Sequence, residues 1–126
     1  MRLLLDTHIL IWFLEGNNSL TKERRDMIAE PRNDVFVSIA SLWELAIKIS
    51  LGKLTLAGPL SEVIEHIEQE NIEILPLEPK HVVQVSALAF HHRDPFDRVL
   101  IAQAQVENLP LISDDDAFHL YGINII

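Results

Sequence analysis

The stretch Arg2-Leu-Leu-Leu-Asp-Thr-His-Ile-Leu-Ile-Trp12 holds three consecutive leucines and then, abruptly, a carboxylate at Asp6. An apolar run without alternation suits a strand buried on both faces, as in a parallel sheet covered by helices on each side. An acid at the end of such a strand stands at the rim where ligands bind in open α/β folds. Asp6 is therefore the first candidate site residue.

Working outward, Thr7 to Leu14 reads as a short helix stopped by the turn-rich Glu15-Gly16-Asn17-Asn18, with Gly16 where a left-handed C′ residue would sit. Ser19 to Glu30 predicts a helix capped by Asn18 or Ser19 and ended by Pro31, and Val35 to Ser38 predicts a second strand. Ile39, Leu42, Leu45, Ala46 and Ile49 recur at helical spacing across Ser38 to Ser50. Further helices are expected over Pro59 to Gln69, from Glu78-Pro79 through Phe90, and from the Asp94-Pro95 segment to near Asn108. Strands are expected over Ile72 to Leu75, Pro110 to Ser113 and Ile123 to Ile126, with a short helix over Asp114 to Tyr121. Strands alternating with helices imply βαβ units, hence an α/β fold with a parallel sheet. Strand order is left open.

A chain of 126 residues predicts a single domain over 1–126. No apolar run reaches the roughly 18 residues of a bilayer span, and no signal-peptide pattern opens the chain, so a soluble, cytoplasmic protein with no membrane partner is expected. With no cysteine, disulfides, thiolate catalysis and cysteine zinc sites are excluded. The formal net charge of −9 argues against a broad basic surface for nucleic acid. That objection weakens where acids converge on a divalent cation, which reverses the local field. The acidity also suits a basic protein partner.

Each acid has an ordinary structural role available. Asp6 can cap the helix after it, Asp94-Pro-Phe-Asp97 has the form of a capping box, Ser113 to Asp116 has the same form, and Glu44 and Lys48 have the spacing of a surface ion pair. Taken together these roles leave Asp115 unexplained. In a parallel sheet, Asp6 and Asp114/Asp115 lie beyond the ends of two strands, while Asp97 and Glu44 lie in the first turns of helices that can begin at the same rim. Four distant segments then supply one acidic pocket, and close carboxylates repel unless a hard cation such as Mg²⁺ or Mn²⁺ joins them. The six histidines include no His-x-x-x-His pair, which disfavours zinc; His8, His91, His92 and His119 read as helix-end, surface or second-shell residues.

These acids in their settings resemble the PIN-domain nucleases, specifically the VapC-like toxins of toxin–antitoxin pairs. The matching segments are Leu3 to Trp12, Ser38 to Lys48 with Gly52-Lys53-Leu54, Asp94 to Ala104, and Leu111 to Phe118, in the family's order. The resemblance implies a three-layer α/β/α sandwich with a central parallel sheet of about five strands. It implies a Mg²⁺- or Mn²⁺-dependent endoribonuclease that leaves 5′-phosphate and 3′-hydroxyl ends. The family's acids fall on Asp6, Glu44, Asp97 (with Ala104 seven positions on) and Asp115 (two after Ser113) as catalytic residues and metal ligands. The run of three aspartates leaves Asp114 or Asp116 open for the last role, and Asp94 is either a further ligand or a cap. Thr7 and Ser113 are expected to orient carboxylates from behind, and Lys48 and Arg98 to contact RNA phosphates. The resemblance further implies a homodimer and an antitoxin that inserts a basic segment into the acidic groove.

Two other readings compete. One is a PIN-like domain that binds protein or RNA without cleaving. The other is an aspartyl phosphoryl-transfer protein, which the chain fits poorly: His8 stands where the dehalogenase type carries its second Asp, and Ile72 to Leu75 runs into Pro76 where the receiver type carries an aspartate.

Overall fold

Leu3, Leu4 and Leu5 are completely buried, and their alternation sends them to two different cores. In the computed structural model, which describes residues 1–126, they form β1 (Arg2–Leu5). There follow α1 (Thr7–Glu15), α2 (Lys22–Ala29), β2 (Asp34–Ser38), α3 (Ile39–Ser50), α4 (Leu60–Gln69) and β3 (Ile72–Leu75). The chain closes with α5 (Pro79–Ala87), α6 (Pro95–Glu107), β4 (Leu111–Ile112) and a 3-10 helix (Asp116–Tyr121).

The sheet is wholly parallel, in the order β3-β2-β1-β4. Leu3 and Leu5 face a core built with Ile9, Leu10, Leu42, Leu45 and Ile67 from α1, α3 and α4, while Leu4 faces Leu100, Ile101 and Ala104 of α6 with Leu88 and Phe118. These are the three layers expected. At about 25 cal/mol per Å², each fully buried leucine contributes about 2 kcal/mol, and β1 contributes to both faces.

The chain leaves β1 in one direction, through β2 to β3, and returns to place β4 on the other side of β1. The strand order therefore reverses between β1 and β4, and the crevice outside the carboxyl ends of such a pair is where this fold class holds ligands. Asp6 follows β1 directly, and Ser113 follows β4.

The structure corrects several expected boundaries. The fifth strand is reduced to a parallel bridge between Ile125 and Leu111, because β4 spans only two residues and offers Leu111 alone as partner. Helix α2 begins at Lys22 under a Thr21 cap, because the Asn17 side chain accepts the Ser19 N–H (2.8 Å) and holds that segment in a turn. Helix α5 stops at Ala87, short of Phe90, because the Arg98 guanidinium takes the carbonyls of Val85, Leu88, Ala89 and His92. No helix is long and apolar enough to cross a membrane.

Candidate active site

Asp6 performs its capping role and more. One oxygen accepts the His8 N–H at 3.1 Å, closing the first turn of α1, and the other accepts the Ser113 hydroxyl at 2.6 Å. That hydroxyl also accepts the Asp115 N–H at 3.0 Å, so Ser113 locks the two strand ends together across the switch point.

Glu44 enters from the second turn of α3, not from its first as expected, because the helix begins at Ile39 under a Ser38 cap; it is almost fully buried. Its Oε1 lies 2.9 Å from Thr7 Oγ1, which lies 2.9 Å from Ser41 Oγ. A carboxylate only accepts, so Thr7 gives its proton to Glu44 and receives one from Ser41. The second oxygen, Oε2, pairs with Lys48 Nζ at 2.9 Å, one turn later on the same helix face. That hydrogen bond is the main reason the lysine pKa lies above its usual value, with Asp94 and Asp97 adding to it.

The N-terminus of α6 supplies two acids. Asp94 Oδ1 accepts the N–H groups of Phe96 (2.9 Å) and Asp97 (3.0 Å), with Pro95 at the first helical position, where a missing N–H costs nothing. Asp97 points into the crevice. Burial pushes its pKa up, as do the charges of Asp94, Asp6 and Glu44, with His92 opposing them, and the carboxyl reaches about 7.

Asp115 completes the ring. Its Oδ1 caps the 3-10 helix through the Ala117 N–H (2.9 Å), so the cap is Asp115 and not Ser113 as the capping-box pattern predicts. Burial alone would raise its pKa; the Ala117 N–H and His92 outweigh that and leave it below the usual value. His92 is the residue that couples the last two acids. Its Nδ1 accepts the Asp94 N–H at 3.2 Å, which places the proton on Nε2, 2.9 Å from Asp115 Oδ2 and 3.1 Å from Asp97 Oδ2. The ring stacks on Phe118, and Tyr121 holds the loop by accepting the His92 N–H (2.8 Å) and donating to Ala89 O (2.7 Å).

Asp6, Glu44, Asp94, Asp97, Asp114, Asp115 and Lys48 all line one cavity of about 260 Å³, together with Thr7, His8, Ile9 and Trp12. Ser113 lies behind Asp6. Asp114 sits at the lip in an ion pair with Arg24, whose guanidinium also binds the carbonyls of Ser113 (3.1 Å) and Ile126 (2.8 Å). Asp116 lies outside the lining.

Arg98 does not meet its expectation as a phosphate contact. It is buried, its guanidinium donates to four carbonyls, and Phe90 stacks on it at 4.2 Å. Three contributors escaped the sequence reading. Ser41 and Arg24 carry no sequence signal. His92, read only as a helix-end, surface or second-shell residue, had one, since it stands two positions before the Asp94 cap.

The donors presented to the cavity are mainly carboxylate oxygens with no thiolate; the ring nitrogens of His92 are already engaged, which leaves His8 as the lone free imidazole in the lining. This set fits a hard divalent cation such as Mg²⁺ or Mn²⁺, which would also offset the burial and like charges that raise the Asp97 pKa. Glu78, His81 and Glu107 also converge, but there the Glu78 N–H occupies His81 Nδ1 and the remaining proton bonds Glu107 at 2.9 Å. That group secures α5 to α6 and offers no free histidine lone pair.

Solved structures share this fold. The chain superimposes on a chain of the VapBC2 complex from Rickettsia felis bound to a promoter DNA fragment with a TM-score of 0.74, at 16% identity, over 100% of this chain and 98% of that one. VapBC-1 from nontypeable Haemophilus influenzae gives 0.70 at 19% identity, covering 100% and 97%. FitAcB from Neisseria gonorrhoeae gives 0.61 at 18%, covering 98% and 96%. No curated protein matches the chain in sequence. At such identities the solved structures speak for the fold, whereas the PIN domain family model matches residues 3–124, from the strand that carries Asp6 to beyond the 3-10 helix. The chain belongs to the PIN domain family, whose members are in general nucleases.

Proposed function

We propose that this protein is a metal-dependent endoribonuclease and the toxin of a toxin–antitoxin pair acting in the cytoplasm. The observation that carries the reading is the convergence of Asp6, Glu44, Asp97 and Asp115, from four separate segments, on one cavity at the switch point of the sheet. Those four carboxylates are the catalytic and metal-holding residues, with Asp94 and Asp114 within reach of the same space.

When bound, Mg²⁺ or Mn²⁺ supplies the Lewis acidity that lowers the pKa of water and offsets charge on the leaving 3′ oxygen. The protein's contribution is positional. Thr7, backed by Ser41, fixes the Glu44 carboxylate, and Ser113 fixes Asp6. His92 holds Asp97 and Asp115 in register through its Nε2 proton. Lys48, paired with Glu44, is the cation of the lining placed to meet a phosphate; a metal held by Glu44 would compete with the lysine for that carboxylate's charge. Without a cation the Asp97 carboxyl is raised to about 7; a bound divalent cation would favour its charged form and let it hold the ion as a carboxylate. In-line attack at phosphorus with departure of the 3′ oxygen leaves 5′-phosphate and 3′-hydroxyl ends.

The surface supports two partners. Exposed Trp43, Ile39 and Leu77 form with Phe96 an apolar cleft of about 300 Å³ beside the α6 N-terminus, which suits a second copy of this chain in a homodimer. The acidic cavity suits a basic segment of an antitoxin, and the likeness to VapBC complexes supports that partner.

The test is cleavage of a mixed pool of structured RNAs by metal-stripped protein after Mn²⁺ is restored, run beside Asp6→Asn. Cleavage that requires metal, leaves 5′-phosphates and disappears in Asp6→Asn is the expected result. Equal inertness of wild type and Asp6→Asn on every RNA, with Mn²⁺ still raising the wild-type Tm, overturns the enzyme in favour of a silent binding domain.

A further inference from the structure

Trp12 and His8 are the part of the acidic cavity that holding a cation does not require. They lie one turn apart on α1, ring centroids 6.3 Å apart and planes inclined by 61°, and both border the space lined by Asp6, Glu44 and Asp97. Trp12 packs one side on the core beneath α1 and gives the remainder to the cavity. His8 is exposed, and its ring makes no hydrogen bond within the chain. An indole face carries negative quadrupolar density, so it gains nothing from the neighbouring carboxylates. Its open surface suits a flat, uncharged π system.

Cations able to hold a polyanion are few here. Arg24 is committed to Asp114 and two carbonyls, Arg98 to four carbonyls, and Lys48 is the one lysine or arginine among the lining residues. Ion pairs with phosphate therefore supply little of the affinity that nucleic-acid sites usually draw from them. Stacking on an aromatic face is the other general source, and it tolerates any base.

We propose that Trp12, with His8 at its edge, seats one unstacked nucleobase of the substrate, that of the nucleotide beside the phosphodiester held over the acids. This rests on the nuclease reading and adds a recognition element to it. Asp6 and Trp12 ride on the same rigid helix, six residues and so roughly 9 Å apart along its axis, about the span of one nucleotide from phosphate to base. The cavity of about 260 Å³ is on the scale of one nucleotide. A base in a continuous stack reaches Trp12 only by leaving that stack. His8, with both ring nitrogens free, stands where it can bond the edge of the seated base.

The test titrates wild type in Mg²⁺ with adenosine 5′-monophosphate and with ribose 5-phosphate, using Trp12→Phe, which leaves Trp43 as the sole indole, to isolate the Trp12 signal. The nucleotide is expected to quench Trp12 emission saturably and the base-free sugar phosphate to leave it unchanged. By calorimetry, Trp12→Leu should bind the nucleotide about tenfold more weakly than wild type, and Trp12→Phe should restore most of the loss. Equal responses to the two ligands, or none to either, overturn the seat, as they would for a wall that meets only a protein segment. Undiminished nucleotide binding by Trp12→Leu overturns it too; the fluorescence arm stands even where that variant folds poorly. RNA cleavage by wild type, read in parallel, separates the two ideas. Cleavage without base-dependent quenching removes the seat and keeps the nuclease, whereas quenching without cleavage keeps the seat and removes the nuclease.

Discussion

Replacing Asp97 by asparagine should stabilise the metal-stripped protein, and by an amount that grows with pH. Burial and the charges of Asp94, Asp6 and Glu44 hold the folded-state pKa of Asp97 at about 7, against 3.8 for an unperturbed aspartate. Between those values the folded state keeps a proton that the unfolded chain has lost, so stability falls as pH rises from about 4 to about 7 and is level above that. Fully expressed, such a difference corresponds to roughly 4 kcal/mol. Asp97 is only partly enclosed, and solvent screening brings this to about 2 kcal/mol. For a domain of this size that is about 8 °C in Tm. Asparagine has the same shape and no charge to bury. Metal-free Asp97→Asn should therefore melt with wild type near pH 4 and about 8 °C above it at pH 8. The assay is scanning calorimetry of both proteins in chelator across that range, followed by Mn²⁺ at pH 8. Mn²⁺ should raise wild type and close the gap, since Asp97→Asn has lost a ligand. A difference between the two Tm values that stays flat from pH 4 to pH 8 would refute the electrostatic reasoning.

Two further outcomes test individual side chains. His92→Ala leaves Asp97 and Asp115 facing each other with no donor between them, and calorimetric Mn²⁺ affinity should fall about 10- to 100-fold, with partial rescue by His92→Gln; unaltered affinity would show that the ring merely fills space on Phe118. Arg98→Lys keeps the charge but loses the planar fork that reaches four carbonyls, so the urea midpoint should drop by the equivalent of about 2–4 kcal/mol while the salt dependence of RNA binding stays as in wild type. A normal midpoint combined with a shallower salt slope would instead return Arg98 to the role of phosphate contact.

The caps show why a site can hide behind ordinary roles. Asp6 and Asp94 each cap a helix with one oxygen, as their positions before a helix predict, Asp115 does so where the pattern points to Ser113, and each still borders the cavity. Capping and function are compatible because a carboxylate has two oxygens and several lone pairs. In this molecule one carboxylate can therefore cap a helix and still face the cavity.

What the chain's order of residues determined by itself was local or periodic. The buried strand ending in Asp6, the alternation of strands and helices, the Gly16 stop with φ of 66°, and the Pro95 start of α6 all follow from patterns within a few residues. Asp6 and Asp94 are legible for the same reason, since each stands at an element end that local signals mark, whereas Glu44 lies inside α3 and is marked only by the family resemblance. Tertiary structure alone decided which ends meet. The order β3-β2-β1-β4 puts β4 beside β1, and only that adjacency brings Ser113 to Asp6 across 107 residues of chain. Arg98 could not be read correctly, because its partners are carbonyls exposed by the early end of α5, an event that depends on Arg98 being there. The fifth strand shrank to one bridge because β4 is two residues long. His92 became the link between two acids only when a loop and a helix start, packed on Phe118, set its ring between them. Propensity and periodicity act over a few residues, whereas these contacts are set by the packing of segments distant in the chain, where no pattern along the sequence records who the neighbour will be.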